Sequence, residues 1–166
     1  MSYAIVYSSQ TGNTKMLADA VRKALPEEEC IYFGTPDAKA LEAEKLYVGF
    51  WTDKGTCDAA TAEFLKTLTD QKVFLFGTAG FGGSKEYFNK ILTSTASNMP
   101  ASVKKTGTYM CQGKMPIAVR NRYKKMLEDS SNKIPNIPQL IENFDRALSH
   151  PDKDDLMGVF EAVRSN

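Results

Sequence analysis

A three-layer α/β fold, with a five-stranded parallel sheet between helices, is predicted by three features of the sequence. Short aromatic and β-branched runs alternate with amphipathic stretches at helical spacing through the first two-thirds of the chain. The runs are apolar along their whole length, as strands covered on both faces are. Two of them end in turns, one of hydroxyls, amides and a glycine and one rich in glycine, the type found where parallel strands feed helices and ligands collect.

The first strand is Tyr3 to Tyr7, followed by the turn Ser8–Thr14 and a helix with Leu17, Ala18 and Val21 on one face. Pro26 and Glu27–Glu29 break the pattern before a second strand, Cys30–Phe33, closed by Gly34-Thr35-Pro36. A short helical piece, Ala38–Ala43, leads to a third strand, Lys45–Phe50, and a loop from Trp51 to Asp58. Ala59, Ala62, Phe64, Leu65 and Leu68 mark the next helix. Val73–Phe76 is the fourth strand and runs into the glycine-rich Gly77–Ser84; Tyr87, Phe88, Ile91 and Leu92 stripe the helix after it. Thr106–Cys111 is the fifth strand. The remainder exceeds one closing helix: a helix within Met115–Asp129, a loop Asn132–Pro138 with two prolines, a stripe from Leu140 to Leu148, and a last helix capped by Asp152.

A chain of 166 residues, 42% hydrophobic and 25% charged, is expected to form one globular domain spanning 1–166. A net charge of +1 argues against nucleic-acid binding through bulk electrostatics. The chain has no apolar run of membrane-spanning length, and its start enters a strand with no leader pattern; the expectation is a cytoplasmic protein, monomeric or weakly dimeric. Cys30, Cys57 and Cys111 are odd in number and widely spaced, which suggests neither a disulfide framework nor a metal cluster.

The turn Ser9-Gln10-Thr11-Gly12-Asn13-Thr14 concentrates hydrogen-bond donors at the positive end of a helix, which is the chemistry of a phosphate site. A nucleoside-triphosphate loop would carry Lys and then Ser or Thr after its last glycine; here Asn13 and Thr14 follow Gly12, and Lys15 is out of register. Neutral hydrogen bonds suit a single monoester that stays bound. Gly77–Ser84 also lacks the lysine of such a loop, because Gly83 stands in its place.

The turn resembles the phosphate-binding loop of the flavodoxins, a Ser or Thr followed by x-Thr-Gly-Asn-Thr. That resemblance implies the strand order 2-1-3-4-5, FMN as cofactor, and a ring held by the loops after the third and fourth strands. Trp51, Thr52, Lys54 and Gly55 would serve from the first of these, and Thr78, Ala79, Gly80, Phe81, Gly82, Gly83 and Lys85 from the second. Aromatic residues wall an apolar ring, and glycines admit its polar edge. In flavodoxins a peptide beside a glycine in the first loop turns over on flavin reduction, a role that falls here to Gly55; the alternative for Gly55 is a plain turn. Trp51 either stacks on the ring or packs on the sheet. Matching Tyr87-Phe88 to the family puts Lys85 where many flavodoxins have a ring-covering tyrosine and Gly82 where they have aspartate.

The resemblance implies an electron-transfer protein serving a partner redox enzyme, with no catalytic residue of its own. The alternative is an FMN-dependent NAD(P)H, quinone or pigment reductase, or a subunit of one. The family is mostly acidic, whereas this chain carries Lys104, Lys105, Lys114, Arg120, Arg122, Lys124 and Lys125 with no acid among them. Such a run is either solvated surface or a face that steers an acidic partner or a carboxylate-bearing substrate.

Overall fold

The computed structural model describes residues 1–129 and 135–166. Its elements are β1 (Tyr3–Tyr7), α1 (Asn13–Ala24), β2 (Cys30–Gly34), β3 (Lys45–Asp53), β4 (Thr56–Cys57), α2 (Ala59–Lys66), β5 (Lys72–Ala79), α3 (Lys85–Ala96), β6 (Lys104–Gln112), α4 (Ile117–Glu128), α5 (Ile137–Ala147) and α6 (Lys153–Arg164). Five strands pair in parallel in the order β2-β1-β3-β5-β6. This is the expected order once β4, a two-residue antiparallel return on β3, is set aside.

Alternation along the strands divides the core into two clusters. Val73 and Leu75 of β5 face Phe64, Leu65, Ile91 and Leu92 of α2 and α3, whereas Phe74 and Phe76 face Leu17, Val21, Val159 and Val163 of α1 and α6. Apolar residues at helical spacing on α1 and α6 meet there, so the last helix closes the layer the first one opens. α6 starts on a capping box: the Asp152 side chain accepts from the Asp155 N–H (2.9 Å), and the Asp155 side chain accepts from the Asp152 N–H (2.8 Å). The bond from the Asp155 N–H holds the Asp152 carboxyl below the usual carboxylate range. Its share of stability is present above the unfolded pKa of about 3.9 and is lost as the pH falls through the lower folded value.

Several boundaries differ from the sequence reading. β3 runs on to Asp53, so Trp51 and Thr52 are strand residues, and Lys54 and Gly55 form a two-residue hairpin tip rather than part of an open loop. Both tip residues have positive φ (53° and 83°), as a type I′ turn requires. β5 runs to Ala79, which places Gly77, Thr78 and Ala79 in a buried strand and leaves Gly80–Ser84 as the loop. α1 begins at Asn13, taking Asn13 and Thr14 out of the turn. Pro138 lies in the first turn of α5, where a missing N–H costs nothing, and is not a loop residue. Residues 132–134 of the expected loop lie outside the described residues.

Candidate functional site

The site begins where β1 ends. The Ser8 N–H donates to the Gly49 carbonyl of β3 (3.0 Å), and the chain then leaves the sheet. Gly12 sits at φ +88°, a left-handed conformation that turns the backbone into α1. The Ser9 hydroxyl accepts from the N–H groups of Gly12 (3.1 Å) and Lys15 (3.4 Å), so its own proton remains available to a ligand oxygen. The N–H groups of Gln10, Thr11, Asn13 and Thr14 have no hydrogen-bond partner among the described residues. Four unbonded donors at the positive end of a helix form an anion cradle.

Two of the expected phosphate ligands turn inward instead. The Thr14 side chain is fully buried; its hydroxyl donates to the Phe50 carbonyl (3.0 Å) and lies 3.2 Å from the Thr78 hydroxyl. With the Thr14 proton committed to Phe50, Thr78 is the donor in that second bond. Asn13 Nδ2 donates to the Lys114 carbonyl at 2.8 Å. The side chains of Asn13 and Thr14 therefore fasten the loop, and the Thr11 hydroxyl also donates to the Lys114 carbonyl (3.4 Å), leaving Ser9, Gln10 and the backbone to face a ligand.

Neighbouring strand ends complete the site. Trp51 pairs with Thr78 across β3 and β5, and the Thr52 hydroxyl donates to the Thr78 carbonyl at 2.8 Å. Trp51 is half-buried and belongs to neither core cluster. The buried Asp58 carboxylate holds the end of β3 by accepting from the Trp51 N–H (3.3 Å), the Thr61 N–H (3.2 Å) and the Thr61 hydroxyl (2.8 Å). Phe81 is 58% exposed on the loop after β5, where an unliganded core aromatic would be covered. Gly82 lies beside the Tyr87 ring, Gly83 is exposed, and Lys85 is exposed at the start of α3. Lys54 and Gly55 lie at the exposed hairpin tip, with no hydrogen bond to the β1–α1 turn among the described residues.

Sequence reasoning missed the contribution of β6 and α5. The Gly113 N–H donates to the Ala79 carbonyl (3.0 Å), and Gly113 lies so close to Asn13 that a Cβ there would fall 2.5 Å from Nδ2. Gln112 Nε2 donates to Asn143 Oδ1 (2.9 Å), and Asn143 Nδ2 donates to the Gly80 carbonyl (2.8 Å), tying α5 to the loop after β5. Gly113, directly after a strand, was a visible signal; Asn143, 63 residues from Gly80, carried none. Cys57 and Cys111 are buried, and burial pushes both thiols up, away from thiolate chemistry.

The anion cradle lies beside the boundary between β1 and β3, where the strand order reverses. Together with aromatic residues at adjoining strand ends, it defines a doubly wound α/β protein of the flavodoxin-like, mononucleotide-binding class. The chain belongs to the flavodoxin family: the Flavodoxin domain model matches residues 4–164. It is 43% identical to the flavodoxin-like domain-containing protein BilS of Clostridium symbiosum, over 94% of this chain and 90% of that protein. In fold it is similar to a flavodoxin from the domain Archaea (TM-score 0.55, 16% identity, 99% of this chain and 95% of the other). It is also similar to a flavoprotein in complex with FMN from Lactobacillus acidophilus NCFM (TM-score 0.50, 14% identity, 66% of this chain and 93% of the other).

FMN is the cofactor of this flavoprotein family, and the residues present fit it. The four unbonded N–H groups and the available Ser9 hydroxyl proton are the donors a phosphate monoester needs.

Proposed function

We propose that this chain is an electron-transfer flavoprotein that holds FMN at the carboxyl end of its sheet and delivers electrons to a partner redox enzyme. The Ser9 and Gln10 side chains and the backbone N–H groups of Gln10, Thr11, Asn13 and Thr14 hold the phosphate. Trp51, Thr52, Lys54 and Gly55 meet the ring from the end of β3 and its hairpin, and Thr78 to Gly83 with Lys85 meet it from the end of β5 and the loop after it. Bound there, FMN supplies one- and two-electron redox chemistry. The protein's work is to fix the phosphate, exclude water from the inner part of the ring with Trp51, and leave the Phe81 edge open to a partner. The observation that carries this reading is the anion cradle at the start of α1, tied through the Thr14 and Thr78 hydroxyls to the strand that leads into the exposed Phe81 loop. NADH or NADPH oxidation by the FMN-loaded protein alone tests it: slow turnover is expected, and rapid turnover would replace the carrier with a reductase.

The basic run divides in the structure. Lys104 and Lys105 open β6 at its amino end, roughly 25 Å along the strand from the site, and so cannot act there. Arg120 forms a two-point ion pair with Asp145 of α5 (2.7 and 3.2 Å), which holds the Asp145 carboxyl below its usual range. Arg122, Lys124 and Lys125 remain exposed on α4, which starts just after the turn beside the phosphate loop. At about 1.5 Å per residue they lie roughly 8–12 Å along that helix, close enough to steer an anion. Electron transfer from the reduced protein to the hexacyanoferrate(III) anion should slow with added salt. At low salt it should slow again when all three residues are changed to Glu, with FMN binding intact. Stopped-flow rates against ionic strength check this; identical series for the two proteins would make the face inert.

A further inference from the structure

We propose that Lys114 supplies the positive charge for the FMN phosphate that the β1–α1 turn lacks. The inference rests on the FMN reading above and concerns how FMN is told apart from the uncharged flavin riboflavin. No residue from Ser8 to Thr14 is cationic. Lys15, the first cation of α1, is ion-paired with Asp19 at 3.0 Å. A phosphate monoester carries about 1.5 to 2 negative charges near pH 7, whereas a helix N-terminus offers about half a positive one. Backbone donors alone leave most of that charge unmatched.

Lys114 comes from the connection between β6 and α4 and is tied to the turn by its own backbone. Its carbonyl accepts from Asn13 Nδ2 (2.8 Å) and the Thr11 hydroxyl (3.4 Å), and its N–H donates to the His150 carbonyl (3.0 Å). The absent side chain of Gly113 lets Asn13 approach this closely. The backbone of Lys114 is thereby pinned on both sides. Its side chain is exposed and has neither hydrogen bond nor ion pair among the described residues. A four-carbon stem spans about 6 Å, enough to bring the ammonium to a ligand bound on the neighbouring N–H groups, and lysine binds phosphate as a mobile point charge. The buried, unpartnered Asn13 Oδ1 lies on the very side chain that anchors Lys114.

Equilibrium titration of apoprotein with FMN and with riboflavin tests this. Lys114→Gln should weaken FMN about fivefold, the upper range for an exposed ion pair. Lys114→Glu, which changes two charges, should weaken it by about the square of that, roughly 25-fold. Lys114→Arg should retain the wild-type value. Riboflavin should bind all four proteins equally, and the salt dependence of FMN binding should be shallower in Lys114→Gln than in wild type. Equal FMN affinity across the series, or a parallel loss of riboflavin, would overturn the assignment of Lys114 and leave the FMN site standing. Wild-type apoprotein that binds no FMN would instead overturn the site itself. Matching thermal unfolding of the apoproteins confirms that the variants fold alike.

Discussion

Gly12→Val is expected to weaken FMN binding about 30-fold while changing the stability of the apoprotein little. At φ +88° an L-residue is strained by roughly 1–2 kcal/mol, and a β-branched one lies at or above the top of that range. Space is not the issue, since nothing lies within 4 Å of where a Cβ would stand. The turn is exposed, so in the apoprotein it can relax away from the strain. Recovering the binding geometry then draws about 2 kcal/mol from the affinity, and 1.4 kcal/mol is tenfold. Gly12→Asn, whose side chain tolerates the left-handed region, should recover most of the loss. Fluorescence titration gives the answer; an unchanged Kd in Gly12→Val would show that the turn does not grip the cofactor.

Asp58→Ala carries the largest expected loss of stability in the site region, about 3 kcal/mol. The buried carboxylate caps α2 through the Thr61 N–H, bonds the Thr61 hydroxyl, and accepts from the Trp51 N–H at the end of β3. Losing a helix cap costs about 1–2 kcal/mol, and an unsatisfied inner N–H costs about as much again. For a chain of this length that corresponds to a fall in Tm of roughly 6–12 °C. Asp58→Asn keeps an acceptor and should lose less than half as much. Because Asp58 also fixes the backbone of Trp51, the alanine variant should quench bound flavin less completely. Calorimetry that shows the two variants equal to wild type would contradict this role.

The fold was largely legible because its signals are local. Continuous apolar runs marked the buried strands, and stripes such as Leu17, Ala18 and Val21 marked the faces that cover them. The anion turn was legible for the same reason: glycine, hydroxyls and a following helix occupy consecutive positions. What stayed hidden depended on direction or on distance in sequence. Thr14 and Asn13 read as phosphate ligands by residue type, yet packing against Phe50, Thr78 and Lys114 turned their side chains inward. The extension of β3 was missed because Trp51-Thr52-Asp53 and Thr56-Cys57 are too short to reveal a hairpin, and Lys-Gly is a weaker turn signal than Asn-Gly. The basic run looked like one surface until strand direction sent Lys104 and Lys105 to the far end of the sheet.

In the proposed site the donors at the start of α1, with Lys114 beside them, select a flavin with a single terminal phosphate. The most direct test of that selection is the flavin carried by the purified protein, released by heat and separated by chromatography, together with apoprotein affinities for FMN, FAD and riboflavin. FMN should be the main species released, and it should bind more tightly than either alternative. FAD as the main species, or riboflavin binding as tightly as FMN, would contradict the account.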